Sequence, residues 1–239
     1  MVDIIVGAGE VGTGMGKIFE QAGNEVRYHD PYKEVFAETA EQTVLHLCFP
    51  YSDKFVEQAK EYIKHFDPVL TIIHSTVEPG TTEQIGDDVV VSFVRGRHKE
   101  GIEQTVAIHY KPLGCKNKDI AYKAAAHLIK AGFNVSEIYT NPRAVELQKL
   151  LDTTYYGVCI AYTKMAKELA DKWGVEWEAI AEGNKEYNLG VLAVGHPEWV
   201  RPELEPMAGP IGGHCVVPNA KILMEKFPHK LLEAIIEAK

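Results

Sequence analysis

Through the first 140 residues the apolar positions come in short runs separated by amphipathic stretches of helical period. Val2–Val6 is short, β-branched and almost uninterrupted, as expected of a strand buried on both faces. Similar runs recur at Glu25–Asp30, Thr43–Phe49, Val69–His74, Asp88–Val94, Thr105–Tyr110 and Ser136–Tyr139. Between them the pattern predicts helices after Gly12, over 33–41, over Lys54–Phe66 with Ser52 or Asp53 as cap, and over Asn117–Ala131 closed by Gly132. At Asn141–Pro142 the pattern changes. Asn141 suits a helix N-cap and Pro142 the first turn, and no further proline or glycine intervenes until Gly157. The helical pattern runs on to Trp173–Gly174, about 30 residues or about 45 Å. A shorter helix is expected over Glu176–Ala181, an irregular stretch over 188–213, and a last helix or pair of helices over Asn219–Lys239, broken at Pro228.

Alternating strands and helices imply an α/β fold: a Rossmann-type doubly wound, mainly parallel sheet, followed by a long central helix and a small helical second domain. The boundary is expected at 141/142, giving a domain over 1–141 and another over 142–239.

The first turn carries candidate chemistry. Gly7-Ala8-Gly9-Glu10-Val11-Gly12 has the G-x-G-x-x-G spacing between a strand and a helix. Gly7 permits the tight turn, Gly9 lets backbone approach a pyrophosphate, and Gly12 lets helix and strand pack closely. The helix N-terminus at Glu10 and Val11 offers N–H groups to phosphates. Asp30 closes the second strand about 20 residues on, where an acid accepts from ribose hydroxyls. Its carboxylate favours NAD over NADP because it would repel a 2′-phosphate, although Arg27 and Lys33 lie nearby. A structural glycine turn is the alternative.

Composition narrows the class. The 239 residues carry a formal charge of −9, which speaks against nucleic acid or an anionic membrane surface as partner. Apolar runs are strand-length, so no membrane span is expected. The N-terminus enters a strand without a basic leader, and the four cysteines are widely spaced with no C-x-x-C pair. A cytoplasmic, reducing setting, no metal site and no disulfides are therefore expected. Cys48 reads as a buried small hydrophobe. Ser75 and Thr76 follow a strand end, where cofactor or substrate would bind, and equally suit a turn before a Thr-capped helix. Arg95, Arg97 and Lys99 form the dense basic cluster of an acidic chain, fit either for an anionic substrate or for a solvated loop.

Four segments together resemble the UDP-glucose/GDP-mannose dehydrogenase family: the Gly7–Gly12 turn, Ser75-Thr76-Val77-Glu78-Pro79-Gly80-Thr81-Thr82, the long helix with Glu146-Leu147-Gln148-Lys149-Leu150, and Gly209-Pro210-Ile211-Gly212-Gly213-His214-Cys215. The resemblance implies an NAD-dependent oxidation of a sugar alcohol through its aldehyde. Cys215 would be the nucleophile that forms a thiohemiacetal and then a thioester. It implies that Lys149 stabilises the developing oxyanion, that Thr76 holds a water near the reacting carbon, and that Thr153, one turn beyond Lys149, stands where the family has asparagine. Glu146 is placed to pair with Lys149. His214 and Asn219 join Arg95, Arg97 and Lys99 as substrate-side candidates. The resemblance further implies a homodimer built on the central helix.

Departures from the pattern also carry meaning. Val94 stands where the family places the glutamate that assists thioester hydrolysis, and Asn219 where it places an aspartate. The family's further C-terminal nucleotide-sugar domain has no counterpart in these 239 residues. Two readings follow: a dehydrogenase acting on an alcohol or aldehyde, phosphorylated or nucleotide-linked, or a dinucleotide-binding sensor or assembly subunit without that activity.

Overall fold

In the computed structural model, residues 1–96, 102–106, 108–213 and 215–238 are described. Two compact units divide the chain, Met1–Lys149 and Leu150–Lys239.

The first unit is built on a seven-stranded sheet. Its strands are β1 (Val2–Val6), β2 (Glu25–His29), β3 (Thr43–Leu47), β4 (Leu70–Ile73), β5 (Val89–Val91), β6 (Lys111–Gly114) and β7 (Val135–Tyr139), in the order β2-β1-β3-β4-β5-β6-β7. All neighbours are parallel except β5 and β6. The order reverses at β1, which creates the crevice where open α/β sheets bind ligands. The register sets Val6 opposite both His29 and Leu47, Leu47 opposite Ile73, and Ile73 opposite Val91. The segments that follow β1 to β5 therefore emerge along one edge of the sheet.

Helices α1 (Glu10–Gln21), α2 (Phe55–Phe66), α3 (Thr81–Ile85), α4 (Ile102–Val106) and α5 (Lys118–Lys130) occupy the connections. One face of the sheet packs Ile5, Val44, Ile72 and Val90 with Met15, Phe19 and Leu128. The other packs Ile4, Val6, Leu45 and Ile73 with Phe55, Ala59 and Phe66. This two-sided burial is what the near-continuous apolar strands require.

Helix α6 (Pro142–Trp173) begins in the first unit and supplies much of the second. The second unit adds α7 (Trp177–Ala193), α8 (Val216–Lys226) and α9 (Lys230–Glu237). Its core joins Ile211, Val216, Ala220, Leu232 and Ile235 to Val158 and Ala161 of α6. Gly157 makes this contact possible, since a Cβ there would lie 2.6 Å from Val216 Cγ1.

Several expectations are corrected. Residues 34–40 form no helix; a 3₁₀ turn at Pro31–Lys33 and an antiparallel bridge between Asp30 and Val35 take that place. Neither Ser52 nor Asp53 caps α2 through its side chain. Residues 102–106 are helical, and the sixth strand starts only at Lys111, with Ile108 and Tyr110 exposed. Helix α7 extends to Ala193, beyond Ala181 and into the stretch read as irregular. The next helix starts at Val216 rather than Asn219.

Candidate active site

The three motif glycines have separable reasons. Gly7 has φ +93°, and a Cβ there would lie 2.9 Å from the Cys48 carbonyl carbon. A Cβ on Gly12 would come within 1.8 Å of Gly7 O. Gly12 is demanded by the packing of α1 on the β1 turn, and Gly7 by its positive φ and the close backbone that follows β3. Gly9 is different: a Cβ there would meet nothing within 4 Å. It stands at the N-cap of α1, where no side chain caps the helix start. Space with no internal claimant beside a helix N-terminus fits the close approach of a pyrophosphate.

Asp30 is pinned to the same loop. Oδ2 accepts the Ala8 N–H at 2.9 Å and Oδ1 accepts the Tyr32 N–H at 3.0 Å. Carboxylate oxygens bonded once each keep lone pairs for ribose hydroxyls. Lys33 Nζ is held by Ala8 O, while Arg27 is committed to Glu25 and to the carbonyls of Glu38 and Thr39.

Beyond β4, Ser75 donates its hydroxyl to Phe49 O at 2.6 Å, tying the ends of two strands together. Thr76 is half-buried, and among the described residues its hydroxyl has no partner. Glu146 does not take the expected pairing with Lys149. Its buried carboxylate accepts the N–H of Gly80 at 2.5 Å, the N–H of Thr82 at 2.8 Å and the Thr82 hydroxyl at 2.6 Å, capping α3. Burial raises its pKa, against the pull of these hydrogen bonds.

After β5, three successive carbonyls are held by cationic or imidazole side chains. Ser92 O lies 3.0 Å from His74 Nδ1 and accepts from Lys111 Nζ at 3.0 Å. Phe93 O accepts from Lys111 at 2.8 Å, and Val94 O from Lys149 at 2.9 Å. The Arg95 guanidinium lies 4.7 Å and the Lys149 ammonium 5.6 Å from the centre of the Phe93 ring. Lys111 is fully buried, and desolvation lowers its pKa to about 7. Nothing in its apolar strand marked it as part of this clamp. Cys48, packed against the core beneath, has its thiol pushed up to about 12 by burial, as suits an inert cysteine. Arg97, Lys99 and His214 lie outside the described residues.

In the second unit, Cys215 is the half-buried N-cap residue of α8, directly before its first turn. Its carbonyl accepts the Asn219 N–H at 3.0 Å. Asn219, 5% exposed, donates its side-chain amide to Thr153 Oγ1 at 2.8 Å, and Thr153 in turn bonds Leu150 O. All four cysteines are free thiols. No helix among the described residues is long and apolar enough to cross a membrane.

No family model matches the chain. Over 185 residues it is 28% identical to a UDP-N-acetyl-D-mannosamine dehydrogenase of Methanocaldococcus jannaschii, a match that covers 74% of this chain and 39% of that one. The chain is similar to UDP-sugar dehydrogenases. It spans about two fifths of the length of this curated relative. Among solved structures, the UDP-D-ManNAc dehydrogenase of Pyrococcus horikoshii superposes with a TM-score of 0.76 at 20% identity, over 100% of this chain and 68% of that one. A 3-hydroxyisobutyrate dehydrogenase of Mycobacterium tuberculosis superposes with a TM-score of 0.70 at 15% identity, over 99% and 91%. These superpositions establish the dehydrogenase-type fold.

Proposed function

We infer that the chain is an NAD-dependent dehydrogenase of the UDP-sugar-dehydrogenase kind, oxidising an alcohol or aldehyde on a phosphorylated or nucleotide-linked sugar. The observation that carries this reading is the vacant approach at Gly9, beside an uncapped helix end and a pinned Asp30. Similarity to named dehydrogenases supports the reaction class. The Asp30 carboxylate, and the engagement of Arg27 and Lys33 with the protein's own oxygens, support NAD over NADP.

NAD bound at the loop would supply hydride acceptance. The chain's residues would do the rest. The Cys215 thiolate would add to the aldehyde carbon, leaving a hemithioacetal oxygen. Loss of hydride from that carbon would give a thioester, and water would release the acid and restore the thiol. Lys149, whose ammonium is held at Val94 O, would stabilise a developing oxyanion. The unpartnered Thr76 hydroxyl suits an ordered water. Arg95 would meet an anionic part of the substrate, with Arg97, Lys99 and His214 proposed beside it.

One observation favours a second reading. Val94 and the Thr153–Asn219 pair leave no carboxylate at the two positions where the family resemblance requires one. The chain would then bind NAD without turnover. NAD reduction assayed with UDP-sugars, sugar phosphates and simple aldehydes separates the two. Turnover abolished by Cys215→Ala supports the enzyme. Tight NAD binding with no turnover on the panel, and no thiol labelling at Cys215, supports the sensor.

A further inference from the structure

Asp3 of β1, His46 of β3 and His127 of α5 meet inside the first unit, 0%, 0% and 7% exposed. His46 Nε2 lies 2.9 Å and His127 Nε2 2.8 Å from the same oxygen, Asp3 Oδ1. Candidate donor atoms on the three residues all fall within 4.8 Å of one another. Asp3 Oδ2 accepts from Asn24 Nδ2 at 2.7 Å. The Phe19 ring covers both imidazoles, with centroid distances of 4.5 and 5.3 Å.

The hydrogen count in this cluster does not close. His46 Nδ1 is 3.0 Å from His74 Nε2, and His74 Nδ1 is 3.0 Å from Ser92 O. A chain of three contacts thus runs from a carboxylate to a carbonyl, both of which only accept. Two neutral imidazoles bring two N–H groups to three contacts. With His74 donating to Ser92 O and His46 to His74, the lone pair of His46 Nε2 is left facing Asp3 Oδ1. Either a proton or a metal ion between them would close the count.

His127 indicates which cation. Its Nε2 is 2.8 Å from Asp3 Oδ1, yet among the described residues this buried atom has no hydrogen bond of acceptable geometry. Two ligands on one tetrahedral ion with bonds of about 2.0–2.1 Å are separated by about 3.3 Å, so the two contacts to Asp3 Oδ1 would open by about 0.5 Å, and each lone pair would point off the line joining the donors. A shared proton calls for the in-line geometry that His127 lacks.

We propose that Asp3, His46 and His127 bind one divalent first-row transition ion, of the zinc class. Two imidazoles and one carboxylate suit that class. The outer contacts are those expected around such an ion: His74 fixes the His46 tautomer, and Asn24 holds the second carboxylate oxygen. Burial and the Phe19 lid make the ion a tie between β1, β3 and α5, independent of the dehydrogenase reading. Sequence spacing concealed the set, since its members are 43 and 81 residues apart.

The test uses the full chain, freed of metal by chelation and titrated with Zn²⁺ or Co²⁺. Expected results are about one ion per chain by elemental analysis, Co²⁺ ligand-field absorption, and a rise in Tm on adding Zn²⁺. His127→Gln should abolish the Tm response, and His74→Gln should weaken binding by about 10- to 100-fold. If His127→Gln does not fold, the Co²⁺ spectrum and Zn²⁺ response of the unaltered chain decide. Zinc binding unchanged in a folded His127→Gln variant overturns the assignment. So does the absence of any Co²⁺ spectrum and Tm response, together with ¹⁵N signals showing both His46 ring nitrogens protonated.

Discussion

The Asn219 side-chain amide donates to Thr153 Oγ1 at 2.8 Å inside the second unit. These are the two positions at which the resemblance calls for aspartate and asparagine, and the residues that replace them satisfy each other. Thr153→Val would leave a buried amide unpaired, a loss of about 1–3 kcal/mol measurable by denaturant unfolding. Under the dehydrogenase reading, Asn219→Asp restores a carboxylate beside Cys215 and should raise the rate of product release in single-turnover assays. An unchanged rate would count against that role for the position.

Gly9→Ala should leave stability within about 1 kcal/mol, because the added methyl meets nothing. NAD affinity by calorimetry should fall at least about tenfold, a change of about 1.4 kcal/mol. Gly12→Ala should fail to fold, given the 1.8 Å approach to Gly7 O. Equal NAD affinity in Gly9→Ala and the unaltered chain would remove the loop as a pyrophosphate site.

Lys111 gives stability a pH dependence of defined sign. Its folded pKa, about 7, lies below the ordinary 10.5. Between those values the unfolded chain holds a proton that the folded chain has lost, so stability rises with pH across that window. The penalty is fully present below pH 7 and relieved as pH climbs, with a slope of up to about 1.4 kcal/mol per pH unit. Lys111→Met should remove this slope while leaving Ser92 O and Phe93 O without their ammonium donor. Unfolding free energies of both proteins at pH 7 to 10 provide the comparison, and parallel curves would refute it.

Helix α6 exposes Tyr155, Tyr162, Met165, Leu169 and Trp173, which recur at helical spacing along one stripe. A homodimer through this helix is the expected use of such a stripe. Leu169→Glu should then shift sedimentation at micromolar concentration from dimer to monomer while changing the unfolding free energy of the monomer by less than about 1 kcal/mol. A monomer in the unaltered chain would end the idea.

The alternation of strands and helices was legible because buried parallel strands leave short apolar runs that little else produces. Helix α6 was legible because Pro142 opens it and nothing breaks it before Gly157. Residues 33–41 had helical composition but no apolar face to bury, as the exposed Phe36 records, and the Asp30 turn prevailed. The β-branched residues at 105–110 suggested a strand, but sheet position six belongs to Lys111–Gly114, which the apolar pattern did not mark. The expected α7 stopped at Ala181 because the Gly- and Pro-rich residues from 188 on read as irregular, yet the helix runs through both Gly183 and Gly190. Local motifs announced the glycine loop and marked Cys215 as a candidate. The clamp on carbonyls 92 to 94 and the Asp3 cluster join residues from distant strands, and no local pattern records such meetings.

Glu146 accepts three hydrogen bonds from Gly80 and Thr82, one turn before Lys149 on the same helix. The lysine is thereby measured from the loop that bears Thr76, as a surveyor's mark is measured from a fixed peg. An insertion between Thr76 and Gly80 would displace the ammonium as surely as an edit to the helix that carries it.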